Sequence, residues 1–426
     1  MMLWRNGATP AVRAEYAHSW GVLGLLCLAV VLSLTTWFSA TAIVPELKAA
    51  WSLSGPIDAW LTNGVQIGFV AGALASSLVN LPDIVRLNRL MAISALLAAV
   101  ANACLLMQPS PAGLVAARVV TGLALAGVYP PALKLVSTWF VRSRGLALGA
   151  VIGALTLGSS LPHLFRALTG SFDWQLVVLA ATTATLVGSI LFWFFAREGP
   201  FPFGKAVFDP RQIGAIFRDR SLMLVNIGYL GHMWELYAMW AWLLAYARAS
   251  LEAQQQASPA FASLLTFLAI AAGIGGCLLG GVLSDRFGRS LTTAGMMMVS
   301  GLCAMAVGFV FDGPLWLFVL VIVVWGVSVI GDSAQFSAAV TELADRRFVG
   351  TALSVQLGLG FALTVLAIWS VPHVAALLGS WRWAFLQLAP GPIIGAAAML
   401  SLRHNHPRTK PAGTITVWHY LRCFVR

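Results

Sequence analysis

Long apolar runs separated by short polar stretches dominate this sequence of 426 residues. Runs of about 18 or more apolar residues recur along its whole length, and a helix of that length crosses a hydrocarbon layer of roughly 30 Å. The runs predict twelve membrane spans, numbered 1 to 12 in chain order, at 19–41, 56–79, 88–107, 112–136, 145–168, 174–196, 221–247, 260–283, 290–311, 314–341, 349–372 and 383–402. The expected fold class is therefore an all-α membrane protein with 12 transmembrane helices.

Composition and charge placement agree with this interpretation. Charged residues make up only 10% of the chain, whereas a soluble domain carries about 25%. Most of the 26 Lys and Arg residues fall on one side of the predicted spans, and only Lys48, Arg166, Arg248 and Arg382 lie toward the other. Because basic loops remain in the cytoplasm, we predict a multi-pass protein of the cell inner membrane with both termini cytoplasmic. The same placement explains the net charge of +11 without a nucleic-acid partner.

The two parts of the chain on either side of residues 197–220 match each other. Gly122 and Gly127 in span 4 correspond to Gly326 and Gly331 in span 10, at an offset of 204. Shared apolar composition alone would not keep glycines in register. We therefore predict two six-helix halves related by an internal repeat. The predicted boundaries are a cytoplasmic tail at 1–18, halves at 19–196 and 221–402, a linker at 197–220 that contains a short amphipathic helix, and a cytoplasmic tail at 403–426.

A short charged loop joins spans 8 and 9, with the sequence GGVLSDRFGR at Gly280–Arg289. Glycine permits a tight reversal, and basic residues hold such a loop at the inner surface. A degraded copy between spans 2 and 3 keeps an acid and a base but lacks the glycines. The residues expected to form this pair of gating loops are Asp83, Arg86, Gly281, Asp285, Arg286, Gly288 and Arg289.

The loop motif, the twelve spans and the repeat together resemble the major facilitator superfamily. That resemblance implies alternating access, with a solute held near the midplane between the halves and with spans 1, 4, 7 and 10 around it. Arg118-Val-Val-Thr-Gly122 is similar to the family's Arg-x-x-x-Gly pattern, whose arginine is associated with proton coupling. Spans 4 and 5 look most like the bacterial nitrate, nitrite and cyanate permeases.

Two departures limit that resemblance. Spans 2 and 8 lack the arginines with which nitrate carriers hold their anion. Span 5 has Gly158-Ser-Ser-Leu-Pro-His163 in place of the Gly-Pro-x-x-Gly-Gly element of drug antiporters. Nitrate as the solute and drug efflux are both disfavoured by these differences.

Ionisable residues within the spans are the first candidates for function, because a charge in hydrocarbon is costly. Glu235 in span 7 and Asp332 in span 10 each lie about 21 Å from the predicted inner end, near the midplane. A carboxyl group in such a medium can exchange a proton near neutral pH. With His232 three residues from Glu235, and with Arg118, they form the predicted proton-coupling set. The alternatives are acids bonded to neighbouring helices, a His232–Glu235 pair, and Arg118 extending to the membrane surface.

Polar and aromatic side chains on several spans are predicted to line the solute cavity. Ordinary packing or a belt at the membrane surface is the alternative for each. For His163 and Arg166, near the outer end of span 5, placement at the surface is favoured over steering of an anion. The predicted cavity residues are Trp37, Asn63, Gln66, Tyr129, Lys134, Trp234, Tyr237 and Gln356.

These observations predict a secondary active transporter, coupled to protons, for a small organic solute, with an anion among the options. The alternative is a proton-driven efflux antiporter for drugs or metabolites. The sequence has no complete Gly-x-x-x-x-Gly-Lys-Ser/Thr loop for ATP, because Gly199–Lys205 is followed by Ala206. It also has no metal-ligand spacing among its cysteines and no converging catalytic group, so neither a cofactor, a metal nor an enzyme activity is expected. The expected partners are the solute, protons and the lipid bilayer, and the expected state is a monomer.

Overall fold

The computed structural model describes residues 10–51, 57–107, 110–140, 144–169, 173–201, 213–345 and 349–405. These residues form helices and short connections. The spans keep their predicted numbers below and have these bounds: span 1, Pro10–Leu34 and, after a break, Val44–Trp51; span 2, Ile57–Leu78; span 3, Leu87–Ala103; span 4, Pro111–Leu125 and Tyr129–Ser137; span 5, Arg144–Thr169; span 6, Gln175–Phe195; span 7, Arg220–Ala253; span 8, Pro259–Phe287; span 9, Arg289–Ala306; span 10, Leu315–Gly331 and Ser333–Leu343; span 11, Val349–Leu377; span 12, Pro390–Asn405. Shorter helices lie at Leu81–Ile84 and Ile213–Arg218, and 3₁₀ turns lie at Thr41–Ile43, Cys104–Met107 and Ala384–Leu388.

The helices have the apolar character that a bilayer requires. Within the described ranges, nine helices are long and apolar enough to cross a membrane. Helices at the positions of spans 1, 7 and 9 complete the predicted set of twelve. Large apolar side chains such as Ile93, Leu97, Leu179 and Phe194 are exposed on the outer surface of the bundle. Hydrocarbon solvates such a surface, so the predicted all-α membrane fold class is confirmed.

Several spans begin where a polar side chain binds the free N–H groups of the first turn. Asp219 accepts from the N–H groups of Ser221 and Leu222 at 2.8 and 2.9 Å at the start of span 7. Ser258 accepts from Phe261 N–H at 3.2 Å at the start of span 8. Proline follows that serine directly, where its missing N–H costs nothing.

The internal repeat extends to individual helix contacts. A Cβ atom at Gly122 would clash with the carbonyl oxygen of Val65, and one at Gly326 would clash with that of Ala269. Gly326 lies 204 residues after Gly122, and Ala269 lies 204 residues after Val65. Span 2 therefore packs on span 4 as span 8 packs on span 10, through backbones that approach closely because the glycines lack a side chain.

Spans 4 and 10 are also broken at equivalent positions. The second helix of span 4 begins at Tyr129 and that of span 10 at Ser333, again an offset of 204. A third break lies in span 1, between Leu34 and Thr41. Backbone groups freed at membrane depth need partners within the protein, so these breaks mark places where the interior is polar.

The two halves meet along two pairs of spans. Gly153 of span 5 lies against Ile274 of span 8. Ser77 of span 2 and Ser354 of span 11 are linked by a hydrogen bond of 3.3 Å between their hydroxyls. The two halves therefore contact each other between spans 5 and 8 and between spans 2 and 11.

Some predicted boundaries differ from the structure. Span 1 continues through the charged segment Val44–Trp51, beyond the predicted end at residue 41. Polar residues ended the apolar run there, but a helix continues where such side chains find partners at the membrane surface. In the linker, helix Ile213–Arg218 is present, whereas 202–212 and the carboxyl-terminal tail beyond 405 lie outside the described residues.

Candidate functional site

His232 and Asp332 form a buried pair between spans 7 and 10. Asp332 occupies the break of span 10, directly after Gly331. The Nδ1 atom of His232 lies 2.9 Å from Oδ1 of Asp332, and both side chains are buried. The rings of Tyr229 and Phe336 flank the imidazole. The Nε2 atom of His232 and the Oδ1 atom of Asp332 have no hydrogen-bond partner among the described residues, so the two side chains are held at ion-pair distance without a hydrogen bond between them.

Glu235 is held separately from this pair. Ser300 of span 9 donates a hydrogen bond of 2.7 Å to Oε2, and the indole of Trp325 in span 10 donates one of 2.7 Å to Oε1. The alternative that His232 pairs with Glu235 is therefore wrong, because two strong donors draw Glu235 toward spans 9 and 10. Its carboxyl group links three spans of the same half.

Arg118 is completely buried and does not extend to the membrane surface as the alternative assumed. Its guanidinium donates to the carbonyl oxygens of Leu61, Thr36 and Trp37. It also donates to the side chains of Ser39 and Asn102 at 3.2 Å each. All five acceptors are uncharged, and several lie in the break of span 1. These contacts give Arg118 a structural role at that break, while its part in proton coupling stays a prediction.

An aromatic cluster joins the halves near this break. The ring centroid of Trp37 lies 5.7 Å from that of Tyr237 in span 7 and 5.0 Å from that of Phe69 in span 2. Phe361 of span 11 lies 4.5 Å from Phe69 and 5.1 Å from Tyr237. Rings of both halves therefore stack on one another, and the structure brings the predicted cavity residues Trp37 and Tyr237 together.

The predicted amides also lie in the interior. Asn63 donates to the carbonyl oxygen of Val365 across the two halves at 3.1 Å. Gln356 donates to Asn226 at 3.2 Å. Gln66 is completely buried, and neither of its amide atoms has a hydrogen-bond partner among the described residues. Gln66 is thus the amide most available to a ligand.

Three of the predicted cavity residues lie outside the aromatic cluster or are only half-buried. Trp234 donates its indole N–H to the carbonyl oxygen of Gln387 at 3.0 Å, so it faces the start of span 12. Lys134 lies 2.6 Å from Asp83 and therefore belongs to the loop between spans 2 and 3. Tyr129 is half-buried and packs against the main core, directly after the break of span 4.

The loops between spans 2 and 3 and between spans 8 and 9 differ in geometry. Only Gly288, with φ of 85°, forms the turn after span 8; Gly281 lies inside the helix, and Asp285 and Arg286 lie exposed in its last turns. Without such a glycine, the first loop uses a left-handed Asn80 and the one-turn helix Leu81–Ile84. Arg86 is exposed beyond it.

Each of these loops is tied to the second helix of the broken span in its own half. Lys134 pairs with Asp83 in the first half. In the second half, Arg289 pairs with Glu342 at 2.6 Å and donates to Gln335 at 3.0 Å. In the first half the loop supplies the acid and the helix the base, whereas in the second half the loop supplies the base and the helix the acid. Because the charges are exchanged, sequence comparison alone did not reveal that the two ion pairs are equivalent.

Sequence reasoning missed a charged cluster at the predicted outer end. Glu46, in the extension of span 1, lies 2.6 Å from Arg166 of span 5 and 3.2 Å from Arg248 of span 7. The second distance connects the two halves. The only signal in the sequence was the rarity of basic residues on that side, because the three residues are far apart in the chain.

Comparisons with known proteins agree with this geometry. The sequence model described as "Major Facilitator Superfamily" matches residues 26–367 and 250–423. "MFS-type transporter pytF" of Aspergillus terreus is 25% identical over 173 residues, which are 39% of this chain and 55% of that protein. "Probable sulfoacetate transporter SauU" of Cupriavidus necator is 26% identical over 193 residues, 41% of this chain and 44% of that protein. The alignments thus span about half the length of these relatives.

Solved structures show the same fold at low sequence identity. An inward-facing bacterial homolog of the human lysosomal transporter Spinster superimposes with a TM-score of 0.70 and 15% identity, over 95% of this chain and 100% of that one. The E. coli fucose:proton symporter FucP superimposes with a TM-score of 0.64 and 12% identity, over 89% and 98% of the two chains.

Proposed function

Since the chain belongs to the major facilitator superfamily, we propose that it is a secondary active transporter that moves a small solute across a membrane by alternating access, coupled to protons. The observation that carries the coupling is the buried His232–Asp332 pair at the break of span 10. Fold relatives include a transporter and a proton symporter by their names. The same proposal includes the location in the cell inner membrane with both termini in the cytoplasm, which the placement of basic residues predicts.

The pair explains how a proton could control a helix movement. An ionised Asp332 attracts His232 across 2.9 Å and holds the break of span 10 against span 7. A proton taken up by the pair changes its net charge, and a buried charge without a partner is costly. The two protonation states therefore favour different separations of spans 7 and 10. This difference in free energy is what couples a proton to a conformational change.

Glu235 serves in this proposal as an anchor. Its two oxygens are already occupied by donors from Ser300 and Trp325. A glutamine at this position keeps one carbonyl acceptor for Trp325, and the serine hydroxyl can accept from its amide. Conversion to glutamine should therefore preserve the connections, whereas Asp332→Asn removes the proton carrier.

The test is internal pH in proteoliposomes challenged with small carboxylates, inorganic anions, uncharged amides and cationic drugs. We expect one class of solute to drive a pH change that Asp332→Asn abolishes while exchange of the labelled solute continues. Glu235→Gln is the matched acid-to-amide control and should keep the pH change. An unaltered pH change in Asp332→Asn would sink the assignment of the proton carrier.

The relatives do not identify the solute. The name of one relative refers to sulfoacetate. The subgroup of nitrate, nitrite and cyanate permeases, which the sequence suggested, is not supported by these relatives. The buried cation Arg118 is occupied by five uncharged acceptors. An anionic solute is therefore the weaker option.

A proton-driven efflux antiporter is the second candidate. The aromatic contact between Trp37, Tyr237 and Phe361 favours it, because stacked rings from both halves suit planar apolar drugs or metabolites. The same assay separates the two candidates. When the imposed proton gradient drives protons into the proteoliposomes, an antiporter releases labelled solute from them, whereas a symporter accumulates it inside.

A further inference from the structure

A layer of uncharged polar groups without partners lies between the halves. We infer that Gln66, Ser159 and His163, together with the indole N–H groups of Trp37 and Trp240, bind the solute, and that the solute is an uncharged planar molecule with both hydrogen-bond donors and acceptors. This inference rests on the proposed transport function and names the class of its substrate.

Span 5 turns Ser159 and His163 toward the middle of the molecule. Its flank at Gly158 packs on Val31 of span 1, and its flank at Gly153 packs on Ile274 of span 8. Four residues separate Ser159 from His163, so the two side chains share the face between these flanks. Leu168, nine residues from Ser159 and therefore on the opposite face, is 76% exposed.

These two side chains are buried without hydrogen-bond partners. Ser159 is 1% exposed and His163 is 0% exposed. Neither the serine hydroxyl nor either ring nitrogen of His163 has a hydrogen-bond partner among the described residues. The predicted placement of His163 at the membrane surface is therefore wrong, because the side chain faces inward one turn below Arg166.

Gln66 presents its amide to the same space from span 2. Thr62, one turn away, bonds to Thr41 of span 1 at 2.8 Å. Phe69, one turn in the other direction along the helix, contacts Trp37 and Phe361 of the opposite half with tilted rings. Gln66 therefore lies on the face of span 2 that meets span 1 and the second half. Its amide supplies both donors and an acceptor.

Aromatic rings form the apolar part of this layer. Trp37 stacks on Tyr237 with an interplanar angle of 25°, and Phe38 stacks on Tyr237 at 17°. Trp240 contacts Phe38 and Tyr237 edge-on. The N–H groups of Trp37 and Trp240 are buried and have no acceptor among the described residues. A planar solute with acceptors at its edge matches rings of this arrangement.

Ser159 and Trp240 lie at similar depths in the two halves. Ser159 is seven residues below Arg166 in span 5, and Trp240 is eight below Arg248 in span 7. At a rise of 1.5 Å per residue, both lie about 11–12 Å below the Glu46 cluster. That cluster connects both halves above the layer, through Arg166 and Arg248.

The charges around the layer explain why an uncharged solute is expected. Arg118 is saturated by five oxygen acceptors. Arg166 and Arg248 share Glu46, and Lys134 pairs with Asp83. The buried acids are held as well, since Asp332 lies 2.9 Å from His232 and Glu235 accepts from Ser300 and Trp325. A buried ionised solute needs a partner of opposite charge, whereas amides, hydroxyls and indoles satisfy a neutral one.

Three compounds that share one ring provide the test. Purified full-length protein in detergent is titrated with benzamide, benzoate and benzylammonium, which are neutral, anionic and cationic, and binding is followed by tryptophan fluorescence and thermal shift. We expect benzamide to bind at least roughly tenfold more tightly than either ion, because its amide can satisfy groups that are unpaired in the free protein. Tighter binding of benzoate or of benzylammonium, or binding of none of the three, would overturn the assignment of an uncharged planar solute.

Variants assign the preference to residues. Gln66→Leu should lower benzamide affinity by about tenfold, and Ser159→Ala, which removes one hydroxyl, by about threefold. Gln256→Leu, at an exposed loop position, is the control and should bind as the parent does. Unchanged benzamide affinity in both Gln66→Leu and Ser159→Ala would refute the site. Binding of benzamide, benzoate and benzylammonium to the parent protein decides the class of solute even if Gln66→Leu does not fold.

The binding assay needs no gradient, so its outcome is distinct from that of the transport assay. Selective benzamide binding without any solute movement in proteoliposomes would keep this site and overturn the transport proposal. Proton-linked movement of a charged solute, with no preference for benzamide, would keep the transport proposal and overturn this inference.

Discussion

Replacing Arg118 with lysine is the sharpest test of how the break in span 1 is held. The arginine donates five hydrogen bonds from three nitrogens, which reach spans 1, 2 and 3 at once. A lysine has one nitrogen with three donors. It keeps the positive charge but cannot serve acceptors that are arranged around a planar fork. At least two of the five acceptors therefore lose their donor.

The magnitude follows from the contacts. A hydrogen bond to a charged group contributes about 1.5–3 kcal/mol, so two lost bonds correspond to roughly 3–6 kcal/mol. At about 2–4 °C for each kcal/mol, the expected fall in the midpoint of thermal unfolding is on the order of 10 °C. Stability of proteins is about 5–15 kcal/mol in total. Arg118→Lys should therefore be folded but clearly less stable.

The assay is thermal unfolding of purified protein in one detergent, with Arg89→Lys as the matched control. Arg89 is exposed near the start of span 3, so its replacement should leave the unfolding midpoint within about 1 °C, as surface substitutions usually do. The two variants carry the same chemical change at the same net charge. If Arg118→Lys unfolded at the temperature of Arg89→Lys, Arg118 would not hold the break, and its role in proton coupling would become the better explanation of a buried arginine.

Two further predictions address the outer cluster and the helix contacts. Glu46→Gln removes the charge that binds Arg248 and should loosen the contact between the halves. In a protein without its native cysteines, a cysteine placed at Thr62 should then react roughly tenfold faster with an impermeant thiol reagent. An unchanged rate would show that this contact does not hold the halves together. Gly122→Ala should lower the free energy of unfolding by about 1–3 kcal/mol because its Cβ would clash with the span 2 backbone. Gly24→Ala, which meets open space, is the control, and equal stability of the two alanine variants would contradict the close packing.

Much of the architecture could be predicted from the sequence because its causes are local. Span length depends on the number of consecutive apolar residues, and the turn at Gly288 depends on a backbone angle that glycine adopts readily. The repeat was visible as Gly122 and Gly326 because a close helix contact leaves no room for a side chain at either position. Even so, the charged extension Val44–Trp51 was missed, since an apolar count ends at its glutamate and lysine.

The partner of each buried polar group was decided only by the tertiary structure. His232 lies three residues from Glu235, yet it pairs with Asp332, 100 residues away in the chain. Lys134 was predicted to line the cavity, but it binds Asp83 of a loop. A side chain with several possible partners takes the one that the packed helices bring within about 3 Å, and a change of a few ångströms exchanges a hydrogen bond for an unpaired group. Helix positions are encoded by hydrophobicity that any apolar residue can supply, whereas polar pairing depends on distances between segments that are remote in sequence.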